Sequence, residues 1–219
     1  MARLGIIHTS FALVEPLNTL AKEMLPESVD IVNVVDDTLL SYARQHGVDS
    51  KLKRRMYTYF QSAVWAGADV ILNACSSVGE TVDAARELID VPILKIDEPM
   101  AEAAVAAGKR VAVHATVAST LGPTVRLLRA KAKEAGKEIE ISERLCDGAF
   151  DLLVCGQTEQ HDEAVSKDVL ESAADHDVIV FAQASMARLV PMLEGKVSVP
   201  LLSSPKLAMG RLNEMLRDV

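Results

Sequence analysis

Residues 68–77 read Ala-Asp-Val-Ile-Leu-Asn-Ala-Cys-Ser-Ser, and residues 176–185 read His-Asp-Val-Ile-Val-Phe-Ala-Gln-Ala-Ser. They align without a gap from Asp69 on Asp177 to Ser77 on Ser185, an offset of 108 residues that sets Cys75 against Gln183. The match continues outside the two segments. Val91-Pro92-Ile93-Leu94 falls on Val199-Pro200-Leu201-Leu202 at the same offset, while Leu4 to Thr9 falls on Val111 to Thr116, and Pro16 on Pro123, at 107. Three stretches matched in order, at offsets of 108 and 107, indicate two similar halves, residues 1–108 and 109–219.

Each matched stretch is a short apolar run closed by polar residues, the pattern of a strand buried on both faces. Strands are expected at residues 4–9, 29–35, 70–74, 91–96, 111–115, 138–142, 178–182 and 199–202. Apolar positions at helical spacing place helices between them, at 14–24, 39–45, 52–66, 79–89, 121–135, 148–155, 159–174, 186–193 and 206–216, with a further helix starting near Asp97-Glu98-Pro99. Strict alternation of strand and helix predicts an α/β fold of parallel sheets with helices on both faces. Ligands of open parallel sheets bind beyond the carboxyl ends of the strands. Thr9-Ser10, Asp36-Asp37, Cys75-Ser76-Ser77, Thr116 and Gln183-Ala184-Ser185 occupy such ends. If the two sheets face each other about a pseudo-two-fold axis, their crevices merge into one cleft.

The chain has 219 residues and a formal net charge of −8, and it is 49% hydrophobic but only 4% aromatic. Its core is therefore expected to be aliphatic. The acidic balance argues against nucleic acid as a partner, since phosphate binders carry basic stripes. Lys51 to Arg55 reads as a solvated helix face. The apolar run near the N-terminus is too short for a signal peptide, and no stretch approaches the roughly 20 apolar residues of a membrane span. Three cysteines at unrelated spacings are not a disulfide framework. A cytoplasmic protein with reduced thiols and no membrane partner is expected. The amphipathic stretch Leu52 to Trp65 reads as core packing, with a dimer surface as the alternative.

A cysteine at a strand end, followed by small polar residues and a helix start, is favourably placed for thiolate, and such surroundings lower a thiol pKa from about 8.5 into the range ~3.5–7.5. The amides and hydroxyls of Ser76 and Ser77 suit a carboxylate. A buried structural cysteine is the blander reading of Cys75. Cys155 reads as helix packing, and Cys146 as a residue bordering the cleft. His8 and His114, at matched places in the two halves, read as satisfied residues at strand ends, and His161-Asp162 as a helix start. No short-spaced ligand motif is present, so no metal is expected. Phosphate loops, dinucleotide fingerprints and nucleophile elbows are absent as well.

Asn73-Ala74-Cys75-Ser76-Ser77 resembles the Ala-Cys-Asn-Thr segment of the aspartate/glutamate/hydantoin racemase superfamily, and Phe181 to Ala187 resembles its second motif, Leu-Gly-Cys-Ala-Gly-Met. Thr116 matches a substrate-holding threonine. The resemblance implies two flavodoxin-like lobes, residues 1–98 plus 206–219 and residues 99–205, with a cofactor-free active site between them. It also implies acid/base catalysis by cysteine at the carbon beside a carboxylate of a small acid such as an amino acid, a hydantoin or a relative. Cys75 carries over as the first thiol, with Thr9, Ser10, Ser76, Ser77, Thr116, Gln183, Ala184 and Ser185 as substrate contacts. The expected partners are that small-molecule carboxylate and further copies of the chain in a homo-oligomer.

The departure from the family pattern is Gln183, whose amide has no usable proton near neutral pH. Three chemistries follow. Cys75 works with another acid/base group (Asp36, Asp37, Asp147 or a water), it is the sole proton donor of a decarboxylase or other lyase, or it adds covalently to a double bond. A carboxylate-binding protein without catalysis is the competing class.

Overall fold

The computed structural model describes residues 1–217. Eight strands form: β1 (Arg3–His8), β2 (Asp30–Val35), β3 (Val70–Asn73), β4 (Ile93–Lys95), β5 (Arg110–Ala115), β6 (Glu140–Leu145), β7 (Val178–Phe181) and β8 (Leu201–Ser203). They make two four-stranded sheets of the same order, β2-β1-β3-β4 and β6-β5-β7-β8, parallel throughout. The helices are α1 (Val14–Met24), α2 (Thr38–His46), α3 (Ser50–Trp65), α4 (Glu80–Arg86), α5 (Glu98–Ala107), α6 (Ala118–Glu134), α7 (Ala149–Val154), α8 (Thr158–Ser172), α9 (Val190–Leu193) and α10 (Ser204–Met215). This is the α/β architecture expected from the alternating pattern.

One unit comprises Met1–Ile96 together with the chain from Pro205 on, and the other comprises Asp97–Ser204. Each unit therefore gives up the helix that follows its last strand, α5 joining the second unit and α10 the first. In the first unit Leu52, Met56 and Phe60 of α3 pack with Ile7, Ile71 and Val82. Trp65, at the end of the same helix, is exposed. In the second unit Phe181 and Ile179 pack with Val165, Val169 and Met186. The cores are chiefly aliphatic, but Phe60 and Phe181 are their largest fully buried side chains. The central strands β3 and β7 are buried at every residue, which explains their unbroken apolar runs.

The duplication extends to individual hydrogen bonds. Asp69 Oδ2 accepts from the Arg3 amide at 2.8 Å, and the Asp69 amide donates to the Arg3 carbonyl at 2.8 Å. Asp177 and Arg110 repeat both bonds at 2.8 Å. At the other end of the strands the Ala74 amide donates to the Ile7 carbonyl, and the Ala182 amide to the His114 carbonyl. His114 is thus the counterpart of Ile7, not of His8, and the apparent histidine match is out of register by one residue. Because strand side chains alternate between faces, that single step puts the two rings on opposite sides of their sheets.

The expected helix at residues 186–193 is instead a 3-10 segment, Ala184–Leu189, followed by the short α9. Pro191 accounts for the break, since its ring removes an amide and crowds the preceding turn of an α-helix. Strand β6 begins later than expected and carries Glu140, Ser142, Glu143 and Arg144, a polar content that an edge strand tolerates. Among the described residues no helix is long and apolar enough to cross a membrane.

Gly108 is held where an added Cβ would lie 2.3 Å from the Asp177 Cβ. Gly108→Ala must displace Asp177, whose carboxylate also accepts from the Lys109 amide at 2.9 Å. Overpacking of this kind costs about 1–3 kcal/mol; the expected result is a lower denaturation midpoint by urea titration, and an unchanged midpoint would contradict the anchoring role of Asp177.

Candidate functional site

The neighbouring carboxyl ends of β1 and β3 bring Thr9 and Ser10 together with Cys75, Ser76 and Ser77 in the first unit. Cys75 leaves β3 in extended conformation (φ −141°, ψ 118°), and the turn after it, Ser76–Val78, is a 3-10 segment that precedes α4. The helix expected from residue 79 starts at Glu80, and the 3-10 turn fills the gap between it and the thiol. Cys75 is half-buried, packs on the edge of the apolar core, and is not in a disulfide. It is neither a fully buried structural cysteine nor a fully solvated one.

Asn73, which sequence reasoning noted only as part of the motif, fixes this turn, since its Nδ2 donates to the Cys75 carbonyl at 2.9 Å. Among the described residues the buried atoms Asn73 Oδ1 and Ser77 Oγ have no hydrogen-bond partner. An acceptor two residues before Cys75 and a hydroxyl two residues after it thus have capacity to spare, although leaving buried polar groups unsatisfied costs about 1–3 kcal/mol each. Thr9 and Ser77 are buried, while Ser10 and Ser76 are partly exposed. Ser10 caps the next 3-10 segment, its Oγ accepting from the Ala12 amide at 3.3 Å. His8 Nε2 donates to Asn33 Oδ1 at 2.7 Å, and burial, opposed by that bond, lowers the ring's pKa.

The acidic residues beyond β2 are differently engaged. Asp36 Oδ2 accepts from Arg55 and from the Tyr59 hydroxyl, each at 2.5 Å, and Oδ1 from the Thr38 hydroxyl at 2.6 Å. Burial raises its pKa, but the bonds from Thr38, Tyr59 and Arg55 prevail and hold it at about 2. Such a carboxylate is a weak base and a clamp between the β2 end and α3. Arg55, read from sequence as solvated, is its partner. Asp37 and Asp147 are exposed.

In the second unit Gln183 stands where Cys75 stands in the first, with nearly the same backbone (φ −126°, ψ 131°), and its carbonyl accepts from the Met186 amide at 3.0 Å as that of Cys75 does from the Val78 amide at 3.3 Å. Its Oε1 accepts from the amides of Thr116 at 2.6 Å and Val117 at 3.1 Å, just before α6. Thr116 Oγ1 lies 3.2 Å from Oε1 and 3.1 Å from Nε2. The side chain is a latch between the β5 and β7 ends, and its carbonyl is committed. Thr116 is buried, Ala184 partly exposed and Ser185 exposed.

His161-Asp162 lies near the start of α8, as expected, but it faces the interior. Both residues are buried, with His161 Nδ1 2.7 Å from Asp162 Oδ1 and Arg188 bonded to Asp162 Oδ2. Cys155 is exposed rather than packed. A third cluster joins His114, Asp168, Arg144 and Cys146. Burial lowers the His114 pKa to about 4 despite Asp168, and burial with the Asp168 charge pushes the Cys146 thiol up to about 12. These contacts are long-range in sequence and left no local signal.

A family model described as Asp/Glu/Hydantoin racemase matches residues 4–212. The chain belongs to that family. Its fold is similar to that of an allantoin racemase from Klebsiella pneumoniae (TM-score 0.74, 18% identity, covering 99% of this chain and 88% of that one). It is also similar to a glutamate racemase from Bacillus anthracis (0.74, 15%, 99% and 82%) and to the Picrophilus torridus aspartate racemase (0.70, 13%, 98% and 94%). No curated protein matches the chain.

For this racemase-family protein, Gln183→Ala strips the Thr116 and Val117 amides of their acceptor, with an expected loss of about 1–3 kcal/mol in denaturant unfolding. An unaltered midpoint would remove the latch. The Asp36 clamp has a defined pH signature. Its folded pKa of about 2 lies below the unfolded 3.8, so its stabilisation is complete above pH 3.8 and is lost as pH falls through about 2. Asp36→Asn should lower stability by about 1–2 kcal/mol at neutral pH, with the difference from wild type shrinking across that acid window; a difference independent of pH would refute the charge-based account.

Proposed function

We propose that the protein is a cofactor-independent isomerase of the racemase type, in which Cys75 exchanges a proton with the carbon beside the carboxylate of a small acid, an amino acid, hydantoin or related compound. The observation that carries this reading is the setting of Cys75. The thiol is half-buried at the end of a central parallel strand, two residues before a buried Ser77 whose hydroxyl has no hydrogen-bond partner among the described residues. Family membership supports the same class of reaction.

The step assigned to Cys75 is removal of the α-proton by the thiolate, with the electron pair delocalising onto the carboxylate oxygens. Ser76 and Ser77, with Thr9 and Ser10 beside them, are the donors assigned to that developing charge. Aimed donors of this kind are worth about 2.7–4 kcal/mol of activation energy. Return of the proton from the same thiol gives exchange, and return from a second group gives inversion. With Asp36 clamped, Asp37 or a water is the better candidate for that group.

One observation favours a second reading. Gln183 has no titrating proton and its carbonyl is bonded to two amides, which suits a lyase that protonates its product from one side with Cys75 as sole donor. Incubation of candidate acids and hydantoins in deuterated water, followed by NMR, distinguishes the readings. A racemase incorporates deuterium at the α-carbon and yields both enantiomers. A decarboxylase releases carbon dioxide and gives one enantiomer of a deuterated product. A carboxylate-binding protein does neither.

Cys75→Ala should reduce turnover by about 10²–10⁴-fold with ligand affinity largely kept, and Ser77→Ala should lower kcat by about 10²–10³-fold. Full activity in Cys75→Ala would overturn the assignment.

A further inference from the structure

We propose that His114, Cys146 and Asp168 form a three-ligand site for one divalent cation of the zinc class within the second unit. His114 lies on β5, Cys146 directly after β6, and Asp168 on α8. His114 Nδ1 is 2.9 Å and Cys146 Sγ is 3.3 Å from the same oxygen, Asp168 Oδ2, and the three atoms all lie within 4.8 Å of one another. Zinc bound tetrahedrally at ~2.0–2.3 Å to nitrogen, oxygen and sulfur needs its ligand atoms roughly 3.3–3.8 Å apart. The two contacts to Asp168 Oδ2 are at or within about half an ångström of that spacing, and the remaining pair, His114 Nδ1 and Cys146 Sγ, must close by about an ångström at most.

Hydrogen-bond accounting identifies the available ring nitrogen. Ser172 Oγ donates its one proton to the Val169 carbonyl at 3.0 Å, so it can only accept from His114 Nε2, 2.8 Å away. In a neutral ring this leaves Nδ1 as a lone pair, buried, without a hydrogen bond and beside a carboxylate oxygen. Two acceptors facing each other are unfavourable unless something positive lies between them. Arg144 does not serve, because it is bonded to the other oxygen, Oδ1. The arrangement matches a metal-binding histidine whose second nitrogen is fixed by an outer partner, here Ser172.

The duplicated unit is an internal control. The counterpart of His114 is Ile7, a core residue, and the counterpart of Cys146 is Asp36, since the Cys146 amide donates to the Ala115 carbonyl as the Asp36 amide does to that of His8. The histidine and the cysteine are thus not inherited from the shared framework. Spacings of 32 and 22 residues hide the three residues from any search for short ligand motifs.

Binding replaces the Cys146 thiol proton, which passes to solvent, with a sulfur–metal bond, and nothing is oxidised or reduced. Thiolate and Asp168 balance the dication, and a water takes the fourth position. Asp168 is 24% exposed at its side chain, which gives the ion a route in.

The test uses the full-length protein, stripped by chelator and titrated with cobalt(II) as a spectroscopic probe. One equivalent should produce a thiolate-to-cobalt charge-transfer band that zinc displaces. The band should vanish in Cys146→Ser, persist in Cys75→Ser and Cys155→Ser, and need about tenfold or more cobalt in Asp168→Asn. Should Cys146→Ser fail to fold, alkylation of the wild type mapped by peptide mass gives the same answer, since zinc should protect Cys146 and leave Cys155 reactive. No thiolate band, a band surviving in Cys146→Ser, or equal alkylation of Cys146 with and without zinc would overturn the site. A ring protonated on both nitrogens at neutral pH and unchanged by zinc would show that a proton, not a metal, fills the gap.

Discussion

An aspartate at the entry of a buried strand, used twice, fixes the geometry on which everything else depends. Asp69 and Asp177 each close a two-way bond with the backbone of the arginine that begins the neighbouring strand. Parallel strands have no hairpin to set their register, so a side-chain anchor at one end must do it. Once β3 and β7 are anchored, their apolar runs are threaded through the sheets and deliver residues 75 and 183 to equivalent places at the far end. A shift of one residue would turn each of these side chains to the other face.

The two copies then diverge in how that delivered position is used. Cys75 is a partly exposed thiol with spare polar capacity two residues to either side of it, whereas Gln183 is tied down by backbone amides at the start of α6. A carboxamide oxygen there does for the helix start what a bound anion would do, satisfying amides that have no helical partner. Latching of one site while its counterpart keeps chemical capacity is a direct way for a duplicated fold to become asymmetric. The His114 cluster is a second asymmetry, a polar group placed where the first copy carries an isoleucine.

Some of the charge chemistry acts through neighbours that are remote in sequence. Asp36 is legible as an acidic residue at a strand end, but only α3 brings Arg55 and Tyr59 to it and turns a candidate base into a clamp. His161-Asp162 likewise reads only as a helix start until Arg188 arrives from the segment beyond β7. In each case the missing information is a partner more than 18 residues away, contributed by a different element.

The sequence by itself determined the α/β class, the two matched sheets and the placement of Cys75 at a strand end, because burial on both faces forces unbroken apolar runs and duplication repeats them in register. It also carried the family resemblance, in the residues around Cys75. Only the tertiary structure decided that the turn after Cys75 is 3-10, that Pro191 breaks the segment after Gln183, that His114 matches Ile7 and that Gln183 is a latch. These depend on which backbone amides and distant side chains come within hydrogen-bonding reach, and local periodicity does not encode that proximity.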